Sequence, residues 1–212
     1  MSRAIYIGPW RVDLTVRDRV RSPVAAVSLA RAIAAGLDAA GAPSPGSIGL
    51  ILSDDTELAM LNEAHLGGSG PTDVLSFPLL PPSSYPHHLP EADADAGKGR
   101  GAAVGPDAEA VTVPDFTLPP GRRRHLGDIV VSVERATEQA ERGRGGQTGD
   151  IAWAASDELR LLVTHGALHI CGWDHAKPDE ETAMRAFEQR LLGPIADPGP
   201  GPAPSARGAS AG

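Results

Sequence analysis

Histidine is where the chemistry of this chain concentrates, because three of its seven histidines, His165, His169 and His175, fall in one short stretch. On an α-helix a step of four residues advances roughly 400°, so His165 and His169 share one face, a turn apart. Gly172 then lets the chain leave the helix through a left-handed turn, which allows His175 to close a third side. Three neutral imidazoles with a fourth position open form the donor set of a catalytic zinc. An ion so held polarises a carbonyl or phosphoryl oxygen and lowers the pKa of a water to about 7. Each histidine alone would read as an ordinary surface or core residue. The spacing around a glycine is what points to one metal ion per chain.

Neighbouring residues narrow the chemistry. Gly166 follows His165 where a His-Glu-x-x-His metalloprotease helix carries its glutamate base, so that class is disfavoured. Cys171 lies two residues past His169, nearly opposite on the helix, and reads as a small buried hydrophobe rather than a fourth ligand. Asp174 has two readings, a partner that orients a ligand histidine or a cap of the turn.

The elements that must hold these residues follow from apolar period and punctuation. Short strands are expected at residues 5–7 and 12–16. Ser22 before Pro23 reads as an N-cap with proline at the first helical position, opening a helix that ends at Gly41. Residues 48–52 form a buried-type strand, and Asp54, with Glu57 three residues on, caps the next helix. Residues 74–77 are a strand closed by Pro78, and 129–131 another strand leading into a helix near Glu134. Ser156, Asp157 and Glu158 cap the histidine helix, and Pro178 opens the last one. Strands and helices mingle without regular alternation. The expected fold class is therefore α+β, a small mixed β-sheet packed with helices in one metallohydrolase-like domain over residues 1–192.

Composition bounds the rest. The 212 residues include 25 Gly and 20 Pro, spread unevenly, with one low-complexity block rich in them as an insertion over about 81–124 and another as a tail over 193–212. Neither block shows a helical or alternating period, so both are expected to be loop or disorder that contributes no core. The formal net charge of -8 excludes a nucleic-acid coat protein with a basic field all round, so any RNA contact must be local. A single cysteine excludes a disulfide framework. The start carries no apolar leader, and no apolar run approaches the ~20 residues of a membrane span, so a cytoplasmic protein is expected.

Three segments together resemble a known family. His165-Gly-Ala-Leu-His169-Ile-Cys-Gly-Trp-Asp-His175 is similar to the His-Gly-x-Leu-His-x-x-Gly-x-Asp-His motif of the YbeY family, bacterial metal-dependent endoribonucleases. Leu61-Asn62 followed by Pro71-Thr72-Asp73-Val74-Leu75-Ser76-Phe77-Pro78, and then Leu126-Gly127-Asp128-Ile129-Val130-Val131-Ser132, match in the family's order. The resemblance implies a cytoplasmic hydrolase specific for single-stranded RNA. Its implied work is ribosomal RNA maturation, notably at the 3′ end of the small-subunit RNA, and ribosome quality control. It also implies one zinc on His165, His169 and His175, with Thr72, Asp73 and Ser76 lining the pocket floor. Small-subunit ribosomal proteins or an assembly GTPase are the implied protein partners.

Two departures qualify the carry-over. Many members have an arginine shortly after Leu-Asn, where this chain has Leu66. The insertion before Leu126 is longer than is usual and ends in Arg122-Arg123-Arg124, a run that reads either as a solvated face or as the substrate-phosphate contacts absent at Leu66. His87 and His88 in the insertion read as solvent-exposed. Of the pocket-floor residues, Asp73 and Ser76 are equally explained as hydrogen-bonding residues at a strand end, and no residue stands out as a general base. The alternative function is a non-catalytic zinc-containing ribosome-assembly factor, which the acidic charge and the absent arginine favour. Chelator-sensitive RNA cleavage separates the two.

Overall fold

In the first strand pair, β1 (Ser2–Ile7) and β2 (Trp10–Val16) form an antiparallel hairpin whose apolar residues alternate with Arg11, Asp13 and Thr15. The computed structural model describes residues 2–85, 122–142, 153–175 and 177–192. Helix α1 (Ala26–Ala39) follows, then β3 (Gly46–Ser53), α2 (Asp55–Leu66), β4 (Val74–Pro78), β5 (Arg124–Ser132), α3 (Val133–Arg142), α4 (Ala155–Ile170) and α5 (Pro178–Leu192). The five strands form one sheet in the order β1-β2-β3-β5-β4. The β2–β3 and β3–β5 pairs are parallel and the two outer pairs antiparallel, so the sheet is mixed and the fold α+β, as the pattern predicts.

The side-chain period of two sends Val12, Leu14, Ile48, Leu50, Leu52, Ile129 and Val131 to one face, where α1 and α4 cover them. Leu29, Ile33 and Leu37 of α1 and Leu159, Leu162 and Val163 of α4 complete that core. Helices α1 and α4 approach closely at small residues, Gly36 lying against Ala167. A second, smaller cluster of Leu58, Leu75 and Val130 joins α2 to the opposite face.

Local signals hold in some places and yield in others. Asp54 accepts a hydrogen bond from the Glu57 N–H at 2.9 Å, the expected cap of α2. Ser22 does not cap α1. Its hydroxyl bonds Val24 two residues on, and α1 starts at Ala26 behind Ala25, which makes no side-chain cap. A serine before a proline can close a local turn as readily as a helix, and here the turn wins. Ala154 likewise stands at the N-cap of α4, leaving Asp157 and Glu158 in its first turn, where their charge suits the helix dipole. The start of the Pro-rich block also departs from expectation. Tyr85 is 1% exposed and belongs to the main core, so this part of the block is packed structure. His87, His88 and the tail over 193–212 lie outside the described residues.

Candidate metal centre and cleft

Helix α4 is buried on nearly every side, and its two histidines face the one direction left open. Close docking on the sheet depends on Gly166, where an added Cβ would lie 2.8 Å from Ile129 Cγ2 and 3.2 Å from Ser76 Oγ. Ser76 donates to the Gly166 carbonyl at 3.1 Å, tying β4 to the turn of helix between the two histidines.

The helix ends as the sequence predicts. Gly172 has φ +86°, its N–H donates to the His169 carbonyl at 3.0 Å, and the Trp173 N–H donates to the Leu168 carbonyl at 3.1 Å. This is a Schellman turn, and it reverses the chain toward the helix face it has just left. Trp173 then stacks on Phe187 of α5, with ring centroids 4.9 Å apart, which anchors the loop that carries His175. Asp174 accepts from the His175 N–H at 2.7 Å, so of its two readings the structure favours the turn cap.

The three imidazoles converge. Their ligand atoms lie within 4.8 Å of one another, and His165 Nε2 and His169 Nε2 are 2.9 Å apart. Two ring nitrogens at that separation cannot both carry a hydrogen, so at least one presents its lone pair to the gap. Burial, followed by the neighbouring charges of His165 and His175, lowers the His169 pKa to about 4, so near neutrality its ring is the unprotonated form that binds a metal. The donor set therefore fits a metal ion held by three imidazoles. Cys171 is fully buried, and burial pushes its thiol up to about 12, which suits a core residue rather than a thiolate ligand.

One residue of this centre escaped the sequence reading. Glu188, on α5, is buried and its Oε1 lies 2.6 Å from His165 Nδ1. A carboxylate on Nδ1 leaves Nε2 as the free lone pair and holds the ring toward His169 and His175. The available signal was a charged residue inside the apolar spacing Met184, Phe187, Leu191, four residues after a core methionine.

A cleft of about 830 Å³ opens over the histidines, walled by β4, the His175 loop and α5. Thr72, Asp73 and Ser76 line it, as expected. Asp73 accepts from the Val74 N–H at 2.9 Å, the Thr72 hydroxyl at 3.2 Å and the Gln139 amide at 3.1 Å, so its carboxylate is also engaged in holding the start of β4. Exposed Leu66 lines the same cleft.

The arginine run is not among the cleft's lining residues. Arg124 begins β5 beside Gly46, whereas Ile129, five residues later, pairs with Ser76 at the cleft floor. Those five residues span roughly 17 Å of strand. Arg123 turns toward the β1–β2 hairpin, where its Nε donates to the Pro9 carbonyl at 3.3 Å and its guanidinium lies 5.3 Å from the centre of the Tyr6 ring. The expected short reach from Arg122, Arg123 and Arg124 to the cleft mouth is therefore not observed. Position in sequence just ahead of Leu126 does not translate into position beside the site, because β5 carries its first residues away from it.

No described helix is long and apolar enough to cross a membrane. Comparison with known proteins finds curated relatives named endoribonuclease YbeY. That of Salinispora tropica is 35% identical over 156 residues, 74% of this chain and 78% of that protein. That of Roseiflexus sp. strain RS-1 is 31% identical over 182 residues, 85% of this chain and 90% of the other. The solution structure of a Thermotoga maritima protein matches with a TM-score of 0.44 at 18% identity, covering 89% of this chain and 99% of that one. With the family model described as endoribonuclease YbeY matching residues 19–196, this chain belongs to the YbeY family.

Proposed function

We propose that this chain is a zinc-dependent endoribonuclease that cuts single-stranded RNA in the cytoplasm during ribosomal RNA maturation, at the 3′ end of the small-subunit RNA, and in ribosome quality control. Small-subunit proteins or an assembly GTPase would bring it to its substrate. The convergence of His165, His169 and His175 at the base of an open cleft carries this reading, and family membership supports RNA as the substrate.

The three histidines would hold one zinc, and the chemistry supplied by the bound ion is Lewis acidity toward phosphate and water. The chain's own residues position the reaction. Glu188 keeps His165 in one tautomer and one orientation. Ser76 and Gly166 register helix against strand, and Thr72 and Asp73 shape the floor over which the strand of RNA passes. The cleft is partly open to solvent rather than an enclosed cavity, which suits a chain cut internally, since both ends of an RNA must be able to leave it.

The test compares wild type with His169→Ala on single-stranded ribosomal RNA, with and without chelator. Cleavage should fall to background in the variant and in chelator, and return when zinc is restored to the wild type. Undiminished cleavage in chelator would sink the proposal. Stoichiometric zinc without cleavage would leave the assembly-factor reading in its place.

A further inference from the structure

The lining of the cleft carries an uneven balance of charge. Among the described residues it includes four carboxylates, Asp73, Asp174, Glu181 and Glu188, and a single guanidinium, that of Arg185. Three of the carboxylates are engaged on the protein itself: Asp73 at the start of β4, Asp174 on the His175 N–H, and Glu188 on His165. Glu181 is engaged with Arg185, one turn further along α5, through a contact of 2.5 Å from Nη2 to Oε1. That contact is one-sided. Arg185 Nε has no acceptor among the described residues, and the guanidinium is not locked into a two-bond fork with the Glu181 carboxylate. Both side chains are close to half exposed, at 42% and 45%, and a pair so exposed adds little to stability. A pair that contributes little to the fold, facing the cleft beside the histidines, needs another account.

We infer that Arg185 binds a backbone phosphate of the RNA strand lying in the cleft, and that Glu181 parks the guanidinium until the phosphate displaces it. The inference rests on the RNA-cutting function proposed above. A planar guanidinium takes two oxygens of a phosphodiester in parallel, a better partner than the single carboxylate oxygen it holds in the free protein. The anionic lining otherwise repels a polyanion, and Leu66, exposed in the same cleft, brings no charge to offset it. Glu181 therefore has a second effect. It keeps an unoccupied cleft from holding a bare cation, and gives it up only to a stronger anion.

The two members of the pair should respond in opposite directions, which a mere helix-surface ion pair would not do. The experiment is steady-state cleavage of a fluorogenic single-stranded oligoribonucleotide by the metal-loaded full chain, across a range of salt concentrations. Arg185→Met should raise KM roughly tenfold and reduce the salt slope by about 0.7, the loss of one phosphate contact on a single strand. Glu181→Gln should lower KM, because the guanidinium is released and one repelling charge is gone. Metal content and melting temperature, measured on the same samples, should match wild type in both variants. If Arg185→Met shows the wild-type KM and salt slope, or if Glu181→Gln weakens substrate binding as much as Arg185→Met does, the inference falls while the metal site and the cleavage reaction stand. A wild-type chain that leaves the oligoribonucleotide uncut would instead overturn the functional proposal, and this inference with it.

Discussion

The histidines of α4 and its following loop and the arginines at the start of β5 are comparably dense in sequence, yet only the first set converges. Helical geometry places residues four apart on one face whatever surrounds the helix, and a glycine turn returns the chain to that face. His165, His169 and His175 meet for those local reasons. Residues in and just before a strand have no such rule. Successive side chains point to opposite faces, and the strand carries its first residue several ångströms per position away from its last. Arg123 ends on the β1–β2 hairpin and Arg124 beside β3, while the cleft sits over the other end of β5 and over β4. A dense run of one residue type is thus a site only where the backbone folds the run back on itself.

The strongest test of that contrast is Glu188, the long-range support beneath the locally encoded histidines. Glu188→Gln should lower zinc affinity by roughly 10–100-fold, the usual cost of losing a carboxylate behind a ligand histidine, with the ligands themselves intact. Competition against a fluorescent zinc chelator measures it. Wild-type affinity in the variant would mean that α4 and its turn suffice to set the site.

A second test perturbs the docking of α4 without touching a ligand. Gly166→Ala should destabilise the protein by about 1–3 kcal/mol, since the new methyl group meets Ile129 where the helix lies on β5. Thermal or urea denaturation reads the loss. A neutral result would show that helix and strand can part by a few tenths of an ångström at no cost.

The smallest expected effect is at the other member of the comparison. Neutralising Arg122, Arg123 and Arg124 together should leave zinc content and the turnover of a short oligoribonucleotide unchanged, because the run begins roughly 17 Å along β5 from the cleft floor. A fall in either quantity would break the contrast and return the arginines to the site. A change confined to the salt dependence on long RNA would instead make them an outlying phosphate contact.

Much of the molecule is written in local pattern. The strands, the helix boundaries at Gly41 and Pro178, the Asp54 cap and the Gly172 turn each depend on residues within about five positions of one another. The three metal-ligating candidates belong to the same class, and so they were legible before any fold was known. Ser22 shows the limit even here, because its hydroxyl closes a turn on Val24 instead of capping α1, and at α4 the cap position falls to Ala154 while Ser156 lies inside the helix.

What only the tertiary structure decided is the set of contacts made across elements. Glu188 lies 23 residues from His165 in sequence and meets it because Met184 and Phe187 seat α5 against the core and the Trp173 loop. Arg185 and Glu181 enter the cleft for the same reason, and Leu66 joins them from the end of α2. Burying α5 along its apolar stripe fixes which of its polar residues look inward. A charged side chain placed there by packing carries no spacing signal of its own, because the residues that give it meaning are on another helix.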